Sequence, residues 1–138
     1  MKSKLFCLMA LGGLVVAIGC SSQVESASSP PGSGAVAAKP GVTPAMIEKG
    51  REIYKANCVA CHGEGGKGDG PGAGVLKPPP RDHTDRAYMS TLTDKNLADV
   101  IVMGGAIKGK PLMPSHPQLR GSDLDGLVAY VRSLSADK

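Results

Sequence analysis

From Thr43 onward the apolar positions recur at the three- and four-residue steps of a helix face. The first such stretch has Thr43 at the N-cap and Pro44 at the first helical position, and runs to about Asn57. Met46, Ile47, Ile53 and Tyr54 are its inward residues, and it leads directly into Cys58. A second stretch begins near Thr93 with Asp94 in its first turn, presents Leu97, Val100 and Ile101, and stops at Gly104-Gly105. The third begins at Ser122, where Asp123 and Asp125 suit the positive end of a helix. Leu124, Leu127, Val128, Val131 and Leu134 then form one apolar stripe. No segment alternates apolar and polar residues as a half-buried strand does. The pattern predicts a small all-α fold with long Gly/Pro-rich connections.

The N-terminal pattern is of another kind. Lys2 and Lys4 precede an apolar run from Leu5 to Ile18, and at about fourteen residues that run is short for a bilayer span but suits a secretory signal. Residues 1–19 are therefore expected to be a cleaved signal peptide. The boundary Ala17-Ile18-Gly19-Cys20-Ser21-Ser22 resembles a bacterial lipobox, with Ala17 where leucine is usual. On that reading Cys20 becomes the acylated N-terminus; the alternative is a small apolar residue beside an ordinary signal-peptidase site. Cys7 reads as a hydrophobe within the leader. Residues 20–42 are rich in Ser, Ala, Gly and Pro and read as a flexible tether. Residues 43–138 form the folded domain.

The chemistry concentrates in Cys58-Val59-Ala60-Cys61-His62. Two thiols separated by two residues suit addition to the two vinyl groups of one porphyrin, with the adjacent histidine beneath the iron. Composition agrees: the chain has no tryptophan, one phenylalanine and three tyrosines, so something other than aromatic side chains must fill its core. With Cys7 and Cys20 in the leader, Cys58 and Cys61 cannot make a four-cysteine zinc site. A thiol-disulfide role for the pair calls for a βαβ context, which the pattern lacks.

Two other signals weaken on inspection. Gly63-Glu64-Gly65-Gly66-Lys67-Gly68 matches G-x-G-x-x-G, but no strand precedes it and no helix follows. Its glycines are expected to let backbone pass close to a flat cofactor. The formal charge of +4 falls to about +2 once Lys2 and Lys4 are removed, and no basic stripe suited to nucleic acid is present. Lys67, Lys77, Lys108 and Lys110 read either as steering charges at the rim of a site or as ordinary solvated lysines.

An iron that only carries electrons takes a second axial ligand. Candidates are His83, Met89, Met103, Met113 and His116. Met113 lies in Leu112-Met113-Pro114 between the second and third helices, where the proline helps hold the backbone rigid. Met103 ends a helix and suits a core or surface-covering role, Met89 suits packing, and His83 and His116 suit exposed loops. No nucleophile, base and orienting partner come together in the sequence, so no catalytic residue is assigned.

In this order, the haem motif, a Gly/Pro loop, Met113-Pro114 and a terminal helix with Ala129-Tyr130-Val131-Arg132-Ser133-Leu134 resemble the class I cytochrome c family, in particular its small bacterial monohaem members. The resemblance implies three to five short helices around one haem c, covalent through Cys58 and Cys61, with His62 and Met113 on the iron. It implies that the first and last helices cross, with Gly50 and Tyr54 facing the region of Tyr130. It also implies that the Pro78-Pro79-Pro80-Arg81 loop lies against His62 and offers a proline carbonyl to its Nδ1–H. Pro79 is therefore placed among the cofactor-binding residues with Arg81, whose side chain either meets a propionate or stays solvated.

The expected function is transfer of single electrons between membrane-associated redox partners outside the cytoplasm. The expected form is a monomer on the periplasmic side, held by lipid at Cys20 or otherwise soluble, working alone or as a subunit of a larger oxidoreductase. The alternative is a haem enzyme or gas sensor with a labile sixth ligand.

Overall fold

The computed structural model describes residues 40–136. The expected signal peptide, Cys7, the acylation site at Cys20 and most of the tether lie outside the described residues.

Among the described residues there are five α-helices: α1 (Pro44–Asn57), α2 (Val59–His62), α3 (Arg86–Ser90), α4 (Asp94–Met103) and α5 (Gly121–Ser133). Short 3-10 turns occur at Ala73–Val75 and Gly105–Lys108, and among the described residues there is no strand. The helix ends follow local chemistry. Thr43 Oγ1 accepts from the Met46 amide at 3.2 Å, satisfying one of the free donors at the start of α1. Thr93 and Asn96 form a reciprocal capping box, at 3.1 and 3.0 Å, that starts α4. Gly104, at φ +82°, ends α4 in a conformation that a side chain would strain.

Helices α2 and α3 escape the periodicity because neither is long enough to show one. Val59–His62 is a single turn continuing from α1, and Asp85 caps α3 by accepting from the Tyr88 amide at 3.0 Å. The start of α5 lies one residue before the expected Ser122, at Gly121.

Helices α1 and α5 cross with their backbones in contact. Gly50 and Gly126 are both buried, and a Cβ on Gly50 would overlap the carbonyl of Gly126, while one on Gly126 would overlap the carbonyl of Met46. Tyr54 packs against Tyr130 with ring centroids 5.2 Å apart and planes tilted by 60°. The core around this crossing is Tyr54, Met89, Leu97, Ile101, Leu127, Val128 and Val131. Burial of these side chains contributes roughly 1.5–3 kcal/mol each for the large aliphatic ones.

Arg132 ties α5 to the segment joining α3 and α4. Its Nε donates to Asp94 Oδ1 at 2.9 Å, Nη1 to the Met89 carbonyl at 2.6 Å, and Nη2 to the Leu92 carbonyl. One guanidinium therefore neutralises a carboxylate, meets the Leu92 carbonyl and adds a second donor to the Met89 carbonyl, which already accepts from the Leu92 amide at 3.2 Å.

Candidate functional site

A cavity of about 290 Å³ opens beside the end of α1. Leu76, Leu97, Ile101, Leu127 and Val131 give it apolar walls, and Cys58, Cys61, His62, Pro79, Arg81, Met113 and His116 all line it. The structure thus brings the sequence-chosen residues to one place. Cys58 and Cys61 are half-buried free thiols. Burial, reinforced by the neighbouring Cys61, pushes the Cys58 thiol up to about 11, so it stands protonated at neutral pH.

His62 is buried, and its Nδ1 lies 3.1 Å from the carbonyl of Arg81. A carbonyl only accepts, so Nδ1 carries the proton and Nε2 keeps its lone pair for a metal. Burial lowers the pKa of His62, against the opposing pull of the Arg81 carbonyl, which favours the neutral, ligating ring. The partner differs from the expected proline. The Pro79 carbonyl faces away to Lys110 Nζ, at 2.6 Å, and the extended triple-proline run brings the next residue's carbonyl to the histidine instead.

The glycines from this run onward also close the end of α2. The last carbonyls of α2 have no intrahelical donor, and each is met by an amide from the following loop. Gly68 donates to His62 at 2.8 Å, Gly70 to Cys61 at 3.1 Å, and Gly72 to Ala60 at 2.8 Å. A Cβ at Gly70 would overlap the Val59 carbonyl, and one at Gly68, where φ is +76°, would press to 2.7 Å of the Pro80 carbonyl. The glycines let the loop lie against the cysteine-bearing turn and the proline loop, which holds the wall of the cavity in shape.

His83 is a correction. Expected in an exposed loop, it is half-buried and stacked on His62, with ring centroids 4.3 Å apart and planes 15° from parallel. Its amide is held by the Gly66 carbonyl at 2.6 Å, which draws the ring inward. Burial, then the charge of His62, pushes its pKa down to about 3, and its Nδ1 is buried without a partner. A ring stacked face to face on His62 stands on the same side of a metal at His62 Nε2, which removes His83 from the candidates for the opposite position.

The other candidates separate by burial. Met89 is 1% exposed and packs in the core, which it shares with the cavity wall, whereas Met103 is 52% exposed and lies outside the cavity lining. Met113 and His116 are both half-buried and both line the cavity. Met113 is held at both backbone ends: its amide donates to Lys110 at 3.1 Å and its carbonyl accepts from Gly105 at 3.0 Å. His116 is likewise held at both ends, its amide donating to the Ile101 carbonyl at 2.9 Å and its carbonyl accepting from the Leu119 amide at 3.0 Å.

The guanidinium of Arg81 lies 3.7 Å from the centroid of the Tyr88 ring, and its buried Nε has no partner. Such an orphaned donor in an apolar cavity calls for an acceptor from outside the chain. Two free thiols, a neutral imidazole with an exposed lone pair, apolar walls and an unpaired guanidinium donor are the complement of a porphyrin with its vinyl groups, iron and propionates. The residues fit haem. Among the described residues no cluster of three or more His, Cys, Asp or Glu is placed to hold a metal ion by itself.

The family model of cytochrome c matches residues 47–135. The chain belongs to the cytochrome c family. It is a class I c-type cytochrome, its all-α fold is that of the class, and the domain implies covalently attached haem c, with Cys58 and Cys61 fitting the attachment motif. A cytochrome c6 of Cyanidium caldarium is 34% identical over 95 residues, which cover 68% of this chain and 75% of the relative. A lupanine 17-hydroxylase (cytochrome c) of a Pseudomonas species is 40% identical over 94 residues, 67% of this chain but 12% of the relative. A cbb3-type cytochrome c oxidase subunit FixP of Azorhizobium caulinodans is 33% identical over 108 residues, 70% of this chain and 30% of the relative. The chain thus spans only a small part of the hydroxylase and of the oxidase subunit. A haem electron carrier is the function these relationships support.

Proposed function

We propose that this cytochrome carries single electrons between redox partners outside the cytoplasm, with His62 and Met113 as the axial ligands of its haem. Bound haem c supplies the one-electron iron couple. The chain's own part is to orient, enclose and tune. Arg81 fixes His62 in its ligating tautomer through its backbone carbonyl. Leu97, Ile101, Leu127 and Val131 exclude water from the cavity, and Met113 is pinned beside it at both backbone ends. Closing the sixth position with a methionine sulfur favours transfer over binding of oxygen or substrate and raises the potential.

The observation that carries the reading is the bond from His62 Nδ1 to Arg81, because it leaves Nε2 free within a cavity that also contains Met113. The lysines at the cavity, Lys77, Lys108 and Lys110, supply positive charge suited to an acidic partner. The leader pattern and Cys20 support export and a lipid anchor on the periplasmic side, with residues 20–42 as the tether. The hydroxylase and oxidase relatives support a second setting, in which the domain relays electrons to a larger oxidoreductase.

The test is spectroscopic. The oxidised holoprotein is expected to show the methionine-sulfur charge-transfer band, to lose it in Met113→Ala and to keep it in His116→Ala. Loss of the band in His116→Ala alone, or strong carbon monoxide binding by the reduced parent, would replace this reading by one with a labile sixth ligand. Labelled fatty acid incorporated by the parent and absent in Cys20→Ser tests the anchor.

A further inference from the structure

One side chain joins the two loops that border the cavity. Lys110 Nζ donates to the Pro79 carbonyl at 2.6 Å across 31 residues of sequence. Both ends of that bond are fixed further. Pro79 lies just before Arg81, whose carbonyl holds His62 at 3.1 Å. Lys110 accepts at its own carbonyl from the Met113 amide at 3.1 Å and donates its amide to Gly105 at 2.9 Å, while Gly105 donates to Met113 at 3.0 Å. A connected path therefore runs from His62 through the proline loop and Lys110 to Met113.

The position of the ammonium is informative in itself. Lys110 forms no ion pair with a carboxylate among the described residues; its partner is a backbone carbonyl. Its partial burial, and then the nearby charge of Arg81, disfavour its charged form. A free lysine would swing away from a like charge into water. The Pro79 carbonyl, which has no amide of its own to meet in a proline-rich run, holds it in place through a charge-assisted bond.

We propose that Lys110 is a positioning residue that clasps the Met113 loop to the loop orienting His62, and so keeps the sixth coordination position closed to outside ligands. The proposal rests on Met113 being that ligand. Any outside ligand must wait for the loop from Gly104 to Pro114 to move away, and that movement breaks the Lys110–Pro79 bond. Without the bond the open form gains population, and an outside ligand binds more tightly by the same factor.

The probe is imidazole, titrated into the oxidised holoprotein of the parent, Lys110→Met, Lys110→Arg and Lys49→Met. Lys49 is an exposed lysine of α1, away from the cavity lining, and controls for loss of charge. Lys110→Met is expected to bind imidazole about five-fold more tightly, the scale of one lost hydrogen bond. Lys110→Arg, which keeps a cationic donor, is expected to stay nearer the parent, and Lys49→Met to match it. Equal affinity in the parent and Lys110→Met, with the methionine-sulfur band present in both, overturns the clasp. A lowered denaturation midpoint without a change in imidazole affinity also overturns it, since that is a merely structural role. A parent without the band overturns the Met113 reading first, and the clasp with it, so the two failures are told apart.

Discussion

Gly50 of α1 lies against the backbone of Gly126 of α5, so that a Cβ on Gly50 would overlap the Gly126 carbonyl, and Gly126 in turn lies against the Met46 carbonyl one turn earlier in α1. Close approach places Tyr54 and Leu127, each 1% exposed, directly beside the cavity they line. The crossing therefore shapes the site as well as stabilising the fold.

Gly50→Ala is expected to destabilise the holoprotein by about 2 kcal/mol or more. An inserted methyl has no rotamer by which to escape, and overpacking of this kind outweighs the gain of up to about 1 kcal/mol in helix propensity. Gly126→Ala should cost a similar amount. The double substitution should cost less than the two together, because helices already pushed apart by one methyl leave room for the other. Guanidinium denaturation followed by far-ultraviolet circular dichroism measures all three.

Arg132 offers a test that separates a charge from its geometry. Arg132→Met leaves the Leu92 carbonyl without its donor and the Met89 carbonyl with only the Leu92 amide, and is expected to cost about 2 kcal/mol. Asp94→Asn removes only the ionic part at a carboxylate whose side chain is 44% exposed, and should cost less than about 1 kcal/mol. Equal losses in the two variants would show that the ion pair, not the carbonyl contacts, holds the α3–α4 turn.

How much of this was legible beforehand depends on which atoms carry the signal. Helix α1 announces itself through Thr43-Pro44, and α4 through Thr93 and its glycine stop, because side chains make those ends. Turn α2 and helix α3 are too short for periodicity, and α3 rests on one Asp85 cap. Gly126 lies inside the apolar stripe of α5 without altering it, so its role appears only when α1 is brought alongside. The acceptor for His62 is a backbone carbonyl, which every residue possesses. Sequence could point to the Pro78–Arg81 run but had no means to choose Arg81 within it. His83 was misplaced for a similar reason: what buries it is a Gly66 carbonyl.

Because Arg81 acts on His62 through its backbone, its side chain can be removed without disturbing that bond. Arg81→Met is expected to retain the covalent haem and the proximal histidine while lowering the midpoint potential, since loss of a nearby positive charge favours ferric over ferrous iron. Lys49→Met, with its charge remote from the cavity, should leave the potential close to that of the parent. Redox titration of the three proteins at one ionic strength checks this. An unchanged potential in Arg81→Met would mean that the guanidinium is fully screened and has no influence on the cofactor.

Tyr54 sets an alkaline limit on stability. Its ring is buried and its hydroxyl donates to the Gly63 carbonyl at 3.2 Å. Burial, followed by the charges of Cys58, Tyr130 and Asp69, raises its pKa well above the ordinary 10.0. The folded protein therefore keeps the proton that the unfolded chain releases. Full stability is retained below pH 10, and it falls as pH rises beyond that value by up to about 1.4 kcal/mol per pH unit until the folded state also ionises. Tyr54→Phe should lose about 1 kcal/mol at neutral pH, from the missing bond to Gly63, yet decline less steeply above pH 10. Denaturation curves at neutral pH and at several alkaline values test both effects, read by backbone circular dichroism so that changes of iron ligand do not intrude. Parallel pH profiles for parent and variant would mean that other groups set the alkaline limit.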